Sequence, residues 1–241
     1  MVKVGKGYIQ MYKHIVKRKD NYPRTFLSYL NFLAKHKNKI RVLDIGCMNG
    51  SFLTFINDYI KNINPNCVVE LFGVDIEDVS EILPNNIKFY RVDVDNEPLP
   101  FESETFDIIN IDQVLEHLYY PWKVLKEIKR VLNKEGIVYL GVPSHRTLFI
   151  FDAPNHFFWD ITHIKPYSKA GLERFLKELG FEIIDINYIK AKKITTKIKA
   201  LLGLIKNLLI KNYHGLNINI ADLIGINLYV VFKKGGNNEC G

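Results

Sequence analysis

One stretch constrains this chain more than any other. Ile40-Arg41-Val42-Leu43-Asp44-Ile45-Gly46 is a buried-strand run that ends in a glycine. After a short turn, Ser51 to Ile60 places Phe52, Leu53, Phe55, Ile56 and Tyr59 at helical spacing. A strand that hands over to a helix this quickly is the first half of a βαβ unit. Such units need a parallel sheet with helices packed on it. The rest of the chain keeps the alternation. Val68–Asp75, Ile87–Val92, Phe106–Ile111, Gly136–Val142, Phe181–Ile189 and Asn227–Phe232 read as strands. Pro121 opens a helix to Leu132, with Val124, Leu125, Ile128 and Val131 on one face and proline at the first position. Ser168–Leu179 reads as a helix stopped by Gly180.

Length and composition agree with one globular α/β domain. The 241 residues are 47% hydrophobic and 24% charged, which excludes a disordered chain, a collagen and a coiled coil. Cys47, Cys67 and Cys240 form no Cys-x-x-Cys pair, so neither a disulfide framework nor a zinc site is expected, and a reducing cytoplasm is. No apolar run has the length of a signal peptide or a membrane span. The net charge of +7 permits attraction to nucleic acid, acidic substrates or anionic lipid, without choosing among them.

The turn after the first strand, Asp44-Ile45-Gly46-Cys47-Met48-Asn49-Gly50, decides the cofactor. In a parallel sheet, ligands bind at the carboxyl ends of the strands. Gly46 and Gly50 allow tight turning and close backbone approach. The spacing is neither that of a P-loop nor Gly-x-Gly-x-x-Gly. Asp44 at the loop mouth would repel a pyrophosphate and suits a cationic ligand, such as the sulfonium and ammonium of S-adenosylmethionine. Asp75 ends the second strand, where a carboxylate can accept both ribose hydroxyls. Asp93 follows the third strand, where it could accept from an adenine amino group.

These motifs together resemble the class I S-adenosylmethionine-dependent methyltransferases. Asp44–Gly50 resembles the family's glycine-rich first motif, and Asp75 its ribose acid. Leu99-Pro100-Phe101, Phe106-Asp107-Ile108-Ile109 and Val114-Leu115-Glu116-His117-Leu118 match the run through the fourth strand. Val131–Val138 and His163–Phe181 resemble two later segments. The resemblance spans roughly residues 38 to 190. It implies a doubly wound, seven-stranded, mostly parallel sheet of the Rossmann-like methyltransferase type, with an antiparallel last strand. It divides the chain into an N-terminal helical cap, 1–37, and a methyltransferase domain, 38–241. It implies cofactor contacts from Asp44, Gly46, Cys47, Asn49, Gly50, Asp75, Ile76, Asp93, Val94 and Ile111. Met48 stands where the family usually has glycine, which would narrow the methionine pocket unless the side chain points away. That departure motivates one further reading, a protein that keeps the fold but does not catalyse.

Methyl transfer from a sulfonium needs alignment above all, and a hydroxyl acceptor also needs a base. His117, His163 and His145 are the catalytic candidates. Some metal-assisted O-methyltransferases resemble the Glu116-His117…His163 pattern but carry a further acid where this chain has Gln113. The plainer reading, in which Glu116 and His117 only orient the turn, leads to an expectation of no metal. Phe149-Ile150-Phe151, Phe157-Phe158-Trp159 and Tyr167 would cover an acceptor or simply pack the core. Lys190–Asn212 reads as an inserted basic amphipathic helix, suited to a membrane surface, the sheet or a dimer contact. No basic, aromatic-interleaved stripe is visible, so a small-molecule or lipid-like hydroxyl acceptor is expected. Nucleic acid is disfavoured, with RNA ribose methylation as the alternative.

Overall fold

The computed structural model describes residues 16–17, 19–149, 156–189, 194–209 and 225–236. Seven strands form one sheet: β1 Lys39–Ile45, β2 Val68–Asp75, β3 Ile87–Arg91, β4 Phe106–Asp112, β5 Leu132–Pro143, β6 Phe181–Ile189 and β7 Asn227–Lys234. Their spatial order is β3-β2-β1-β4-β5-β7-β6. Strands β1 to β5 pair in parallel, while β7 runs antiparallel to both β5 and β6. The expected doubly wound, seven-stranded sheet with an antiparallel last strand is therefore present. Strand order reverses between β1 and β4, which places a crevice at their carboxyl ends.

Among the described residues, five helices accompany the sheet: α1 Arg24–His36, α2 Ser51–Ile63, α3 Pro121–Val131, α4 Lys169–Glu178 and α5 Ile194–Leu209. Residues alternate between two cores because a strand presents successive side chains to opposite faces. On β1, Ile40 and Val42 join the core under α1 and α2, while Leu43 and Ile45 join the core under α3 and α4. Helix α3 buries the expected stripe, Val124, Leu125, Ile128 and Val131. Each such side chain contributes about 1.5–3 kcal/mol when fully buried. Strand β5 starts four residues earlier than Gly136, because Phe106 pairs with Leu132 before a bulge that resets the register at Ile108.

Helix α5 falls inside the expected 190–212 segment, whose ends lie outside the described residues. Its Leu201, Leu202, Ile205 and Leu209 side chains are exposed, so this face does not cover the sheet. Among the described residues, no helix is long and apolar enough to cross a membrane. Cys47 and Cys67 are free and buried; Cys240, Ile150 and Phe151 lie outside the described residues.

Candidate active site at the carboxyl ends of β1, β2 and β4

The loop after β1 turns through three left-handed residues, Gly46 (φ 76°), Met48 (φ 46°) and Gly50 (φ 70°). A Cβ at Gly46 would collide with Val114 Cγ2 on a backbone already left-handed, so only glycine fits. Met48 keeps the conformation that glycine favours, and its N–H donates to Asp75 Oδ2 at 3.0 Å. Gly46 and Cys47 donate to the Val74 carbonyl, Gly50 donates to the Cys47 carbonyl, and Ser51 N–H donates to Asn49 Oδ1. The turn is thus fixed by its own backbone before any ligand arrives.

Asp75 Oδ1 accepts from Glu77 N–H at 3.1 Å. Its two oxygens offer about four acceptor positions, of which these two amides fill two. A ribose diol could take the others. Burial raises the Asp75 carboxyl, against the lowering effect of the Met48 and Glu77 amides. Asp44 is buried, and Oδ1 accepts from Asn110 Nδ2 at 2.6 Å. Burial pushes its carboxyl up to about 7, against the Asn110 hydrogen bond and the Lys17 charge. Lys17 Nζ pairs with Asp112 Oδ2 at 2.6 Å at the end of β4. Buried acids at the switch point suit a cation and resist an anion.

The other expected cofactor residues sit less directly. Ile76 and Val94 are half-buried, and Val94 packs against the core under α3 and α4. Asp93 accepts from Asp95 N–H (3.2 Å) and Asn96 Nδ2 (3.0 Å), which makes it a turn residue with acceptor positions left over. Ile111 is fully buried, paired with Ile45 in the sheet.

The second half of the site is the 3-10 turn Leu115–His117 beyond β4. The Glu116 carbonyl accepts from Ile164 (2.8 Å) and Lys165 (3.3 Å) N–H, and Tyr167 Oη donates to the Leu115 carbonyl. These bonds draw segment 160–167 across the strand ends, so that His117 and His163 lie with ring centroids 4.7 Å apart. The Glu116 carboxylate joins them: one ligand atom from each of Glu116, His117 and His163 lies within 4.8 Å of the others. Glu116 is wholly buried, and burial pushes its carboxyl well up. Burial, then the neighbouring His163 ring, push His117 down to about 4, which makes it a poor general base at neutral pH. His145 does not join this group. It opens a 3-10 turn after β5, where its N–H donates to the Tyr167 carbonyl.

Two features here, Asp95 and the exposed rings of Tyr119, Tyr120 and Trp122, were not read from the sequence. Asp95, 2% exposed, accepts from Tyr119 and Tyr120 N–H and so clamps the exit of the Leu115–His117 turn. Tyr119, Tyr120 and Trp122, which follow the turn in the chain, are exposed, and so are Phe158 and Trp159, which precede His163. Lys123 Nζ lies 4.2 Å from the Tyr120 ring centroid, and the exposed Lys165 follows His163 by two residues.

A family model described as "Methyltransferase domain" matches residues 17–186, more than half of the chain and all of this site. The chain belongs to this family. It is an S-adenosylmethionine-dependent methyltransferase of class I. A solved S-adenosylmethionine-dependent methyltransferase from Archaeoglobus fulgidus shares the fold at TM-score 0.60 and 20% identity, over 94% of this chain and 99% of that one. An uncharacterized protein of Methanocaldococcus jannaschii is 28% identical, covering 70% of this chain and 78% of its own. A tRNA U34 carboxymethyltransferase of Campylobacter jejuni is 29% identical over 68% of this chain and 57% of its own length. The methyltransferase thus spans little more than half of that tRNA-modifying relative. This similarity corrects the expectation that nucleic acid is disfavoured as a partner. That expectation rested on the lack of a stripe along the chain, whereas the exposed aromatic residues come from two separate segments, 119–122 and 158–159.

Proposed function

We propose that this methyltransferase modifies RNA, transferring the methyl group to a hydroxyl oxygen received at the Glu116–His117–His163 cluster. The observation that carries the reading is the set of exposed aromatic rings and lysines in the two chain segments that adjoin the cluster's residues, 119–123 after His117 and 158–165 around His163. Aromatic faces stack on unpaired bases, and lysines neutralise phosphates. The similarity to a tRNA-modifying enzyme supports the same acceptor class.

S-adenosylmethionine supplies a methyl group already activated on sulfonium, so the chain's work is alignment and charge. Asp75 takes the ribose hydroxyls on its remaining acceptor positions. Asp44 faces the cationic end, and Gly46, Cys47, Asn49 and Gly50 provide the backbone contour. Ile76, Asp93 and Val94 flank the adenine. His117 and His163 stand at the acceptor oxygen, while His145 positions segment 160–167 through Tyr167.

The test is binding of transfer RNA by fluorescence anisotropy at several salt concentrations. Affinity is expected to fall steeply with salt, and Trp159→Ala or Tyr119→Ala to weaken binding by about 1–3 kcal/mol for each stacked base lost. Absent or salt-insensitive binding would refute an RNA acceptor.

A further inference from the structure

We propose that Glu116, His117 and His163 bind a first-row divalent transition-metal ion, such as Co2+ or Zn2+, at the acceptor end of the site. The inference follows from where the protons lie. Thr162 Oγ1 donates to Asp160 Oδ1 at 2.6 Å, and a hydroxyl has one proton. Its 2.8 Å contact with His117 Nδ1 therefore requires that Nδ1 carry the hydrogen. The Phe157 carbonyl can only accept, so His163 Nδ1, 2.7 Å away, is also protonated. Each ring, when neutral, is thereby held with a bare Nε2 lone pair.

The Glu116 carboxylate adds two more acceptor oxygens. Neither has a hydrogen-bond partner among the described residues, although the side chain is wholly buried. A buried polar group ordinarily has a partner. With both rings neutral and Glu116 ionised, two imidazole lone pairs and a carboxylate, all within 4.8 Å of one another, offer only acceptors to a common point. A cation satisfies all three. Metal–ligand bonds of about 2.0–2.2 Å put ligand atoms roughly 3–4 Å apart, so closure takes side-chain movement of about an ångström.

The donor chemistry selects the ion. Imidazole nitrogen favours borderline transition ions over Mg2+ or Ca2+, which prefer oxygen throughout. The Thr162–Asp160 relay on one histidine and the Phe157 carbonyl on the other are outer partners of the kind that orient metal-ligating rings. Gln113, at the end of β4, contributes no charge, so one carboxylate leaves the centre a net cation. Resting on the RNA-hydroxyl reading, the ion's role is to bind the acceptor oxygen and ease loss of its proton.

The experiment is titration of the chelator-treated full chain with Co2+, without S-adenosylmethionine or RNA, following visible absorption and calorimetry. One Co2+ per chain is expected, with the absorption bands of nitrogen- and oxygen-ligated cobalt, displaced by Zn2+. Glu116→Gln and His163→Asn should each weaken binding at least tenfold. Thr162→Val, which touches only the outer partner, should weaken it about 10–100-fold. His36→Asn, at the exposed end of helix α1, should bind like the parent, and circular dichroism verifies that each variant is folded. No cobalt binding by the folded parent, or binding unchanged in all three site variants, would overturn the proposal. RNA binding is measured without metal, so each reading can fail alone.

Discussion

Asp44 and Asp75 end adjacent strands and are both buried, yet their surroundings prepare them differently. Asp75 is held by two amides and has acceptor capacity to spare. Asp75→Ala is expected to weaken S-adenosylmethionine binding by about 1–3 kcal/mol in calorimetric titration. Affinity like that of the parent would remove the ribose from this carboxylate. Asp44, raised to about 7, is mostly neutral at pH 6 and ionised at pH 8. A cationic ligand needs the ionised form, so affinity should climb as pH rises from about 5.5 to 7.5, by up to tenfold per unit below the pKa. Stability moves the other way. The folded state holds its proton up to about pH 7 and the unfolded chain only to about 4, so stability declines as pH rises between them. Asp44→Asn should flatten both slopes, measured by titration and by thermal melting across pH 5–8. Unaltered slopes would assign the dependence to another group.

The turns between elements carry the site, and they differ in how much of them local sequence specifies. The loop after β1 was legible because its requirement is local: glycines where the backbone turns left-handed, and a helix directly after. Gly46→Ala should abolish S-adenosylmethionine binding, since its Cβ would collide with Val114 and its φ of 76° is strained for alanine. A folded Gly46→Ala protein of undiminished affinity would contradict this account of the loop. Met48 pays for its left-handed φ of 46°, and Met48→Gly is expected to shift stability by no more than about 1 kcal/mol in denaturant unfolding, because relief of strain and added chain entropy oppose. The acceptor half was only half legible. Glu116, His117 and His163 stood out as residues, but their meeting depends on Ile164 and Lys165 bonding the Glu116 carbonyl, nearly fifty positions away. The Asp95 clamp likewise joins segments about 24 residues apart and has no local signature.

Across the whole molecule, strand order is what turns these scattered residues into one crevice. The reversal between β1 and β4 brings Asp44, Asp75 and the Leu115–His117 turn to one edge, and segment 160–167 closes it. The alternation of strands and helices was readable throughout, since each strand's burial follows from its own residues. The proposed RNA surface was not, because it draws on segments 119–123 and 158–165, which lie far apart in the chain. On the proposed RNA reading, the net charge of +7 supplies a long-range attraction to a polyanion that salt weakens. The central claim is that this fold carries methyl groups to RNA. Incubating the full chain with S-adenosylmethionine labelled in its methyl group and with purified transfer RNA tests it most directly. The account predicts label that stays with the RNA and is released by ribonuclease digestion. Cofactor binding by calorimetry without any label entering RNA, with and without added Co2+ or Zn2+, would contradict it.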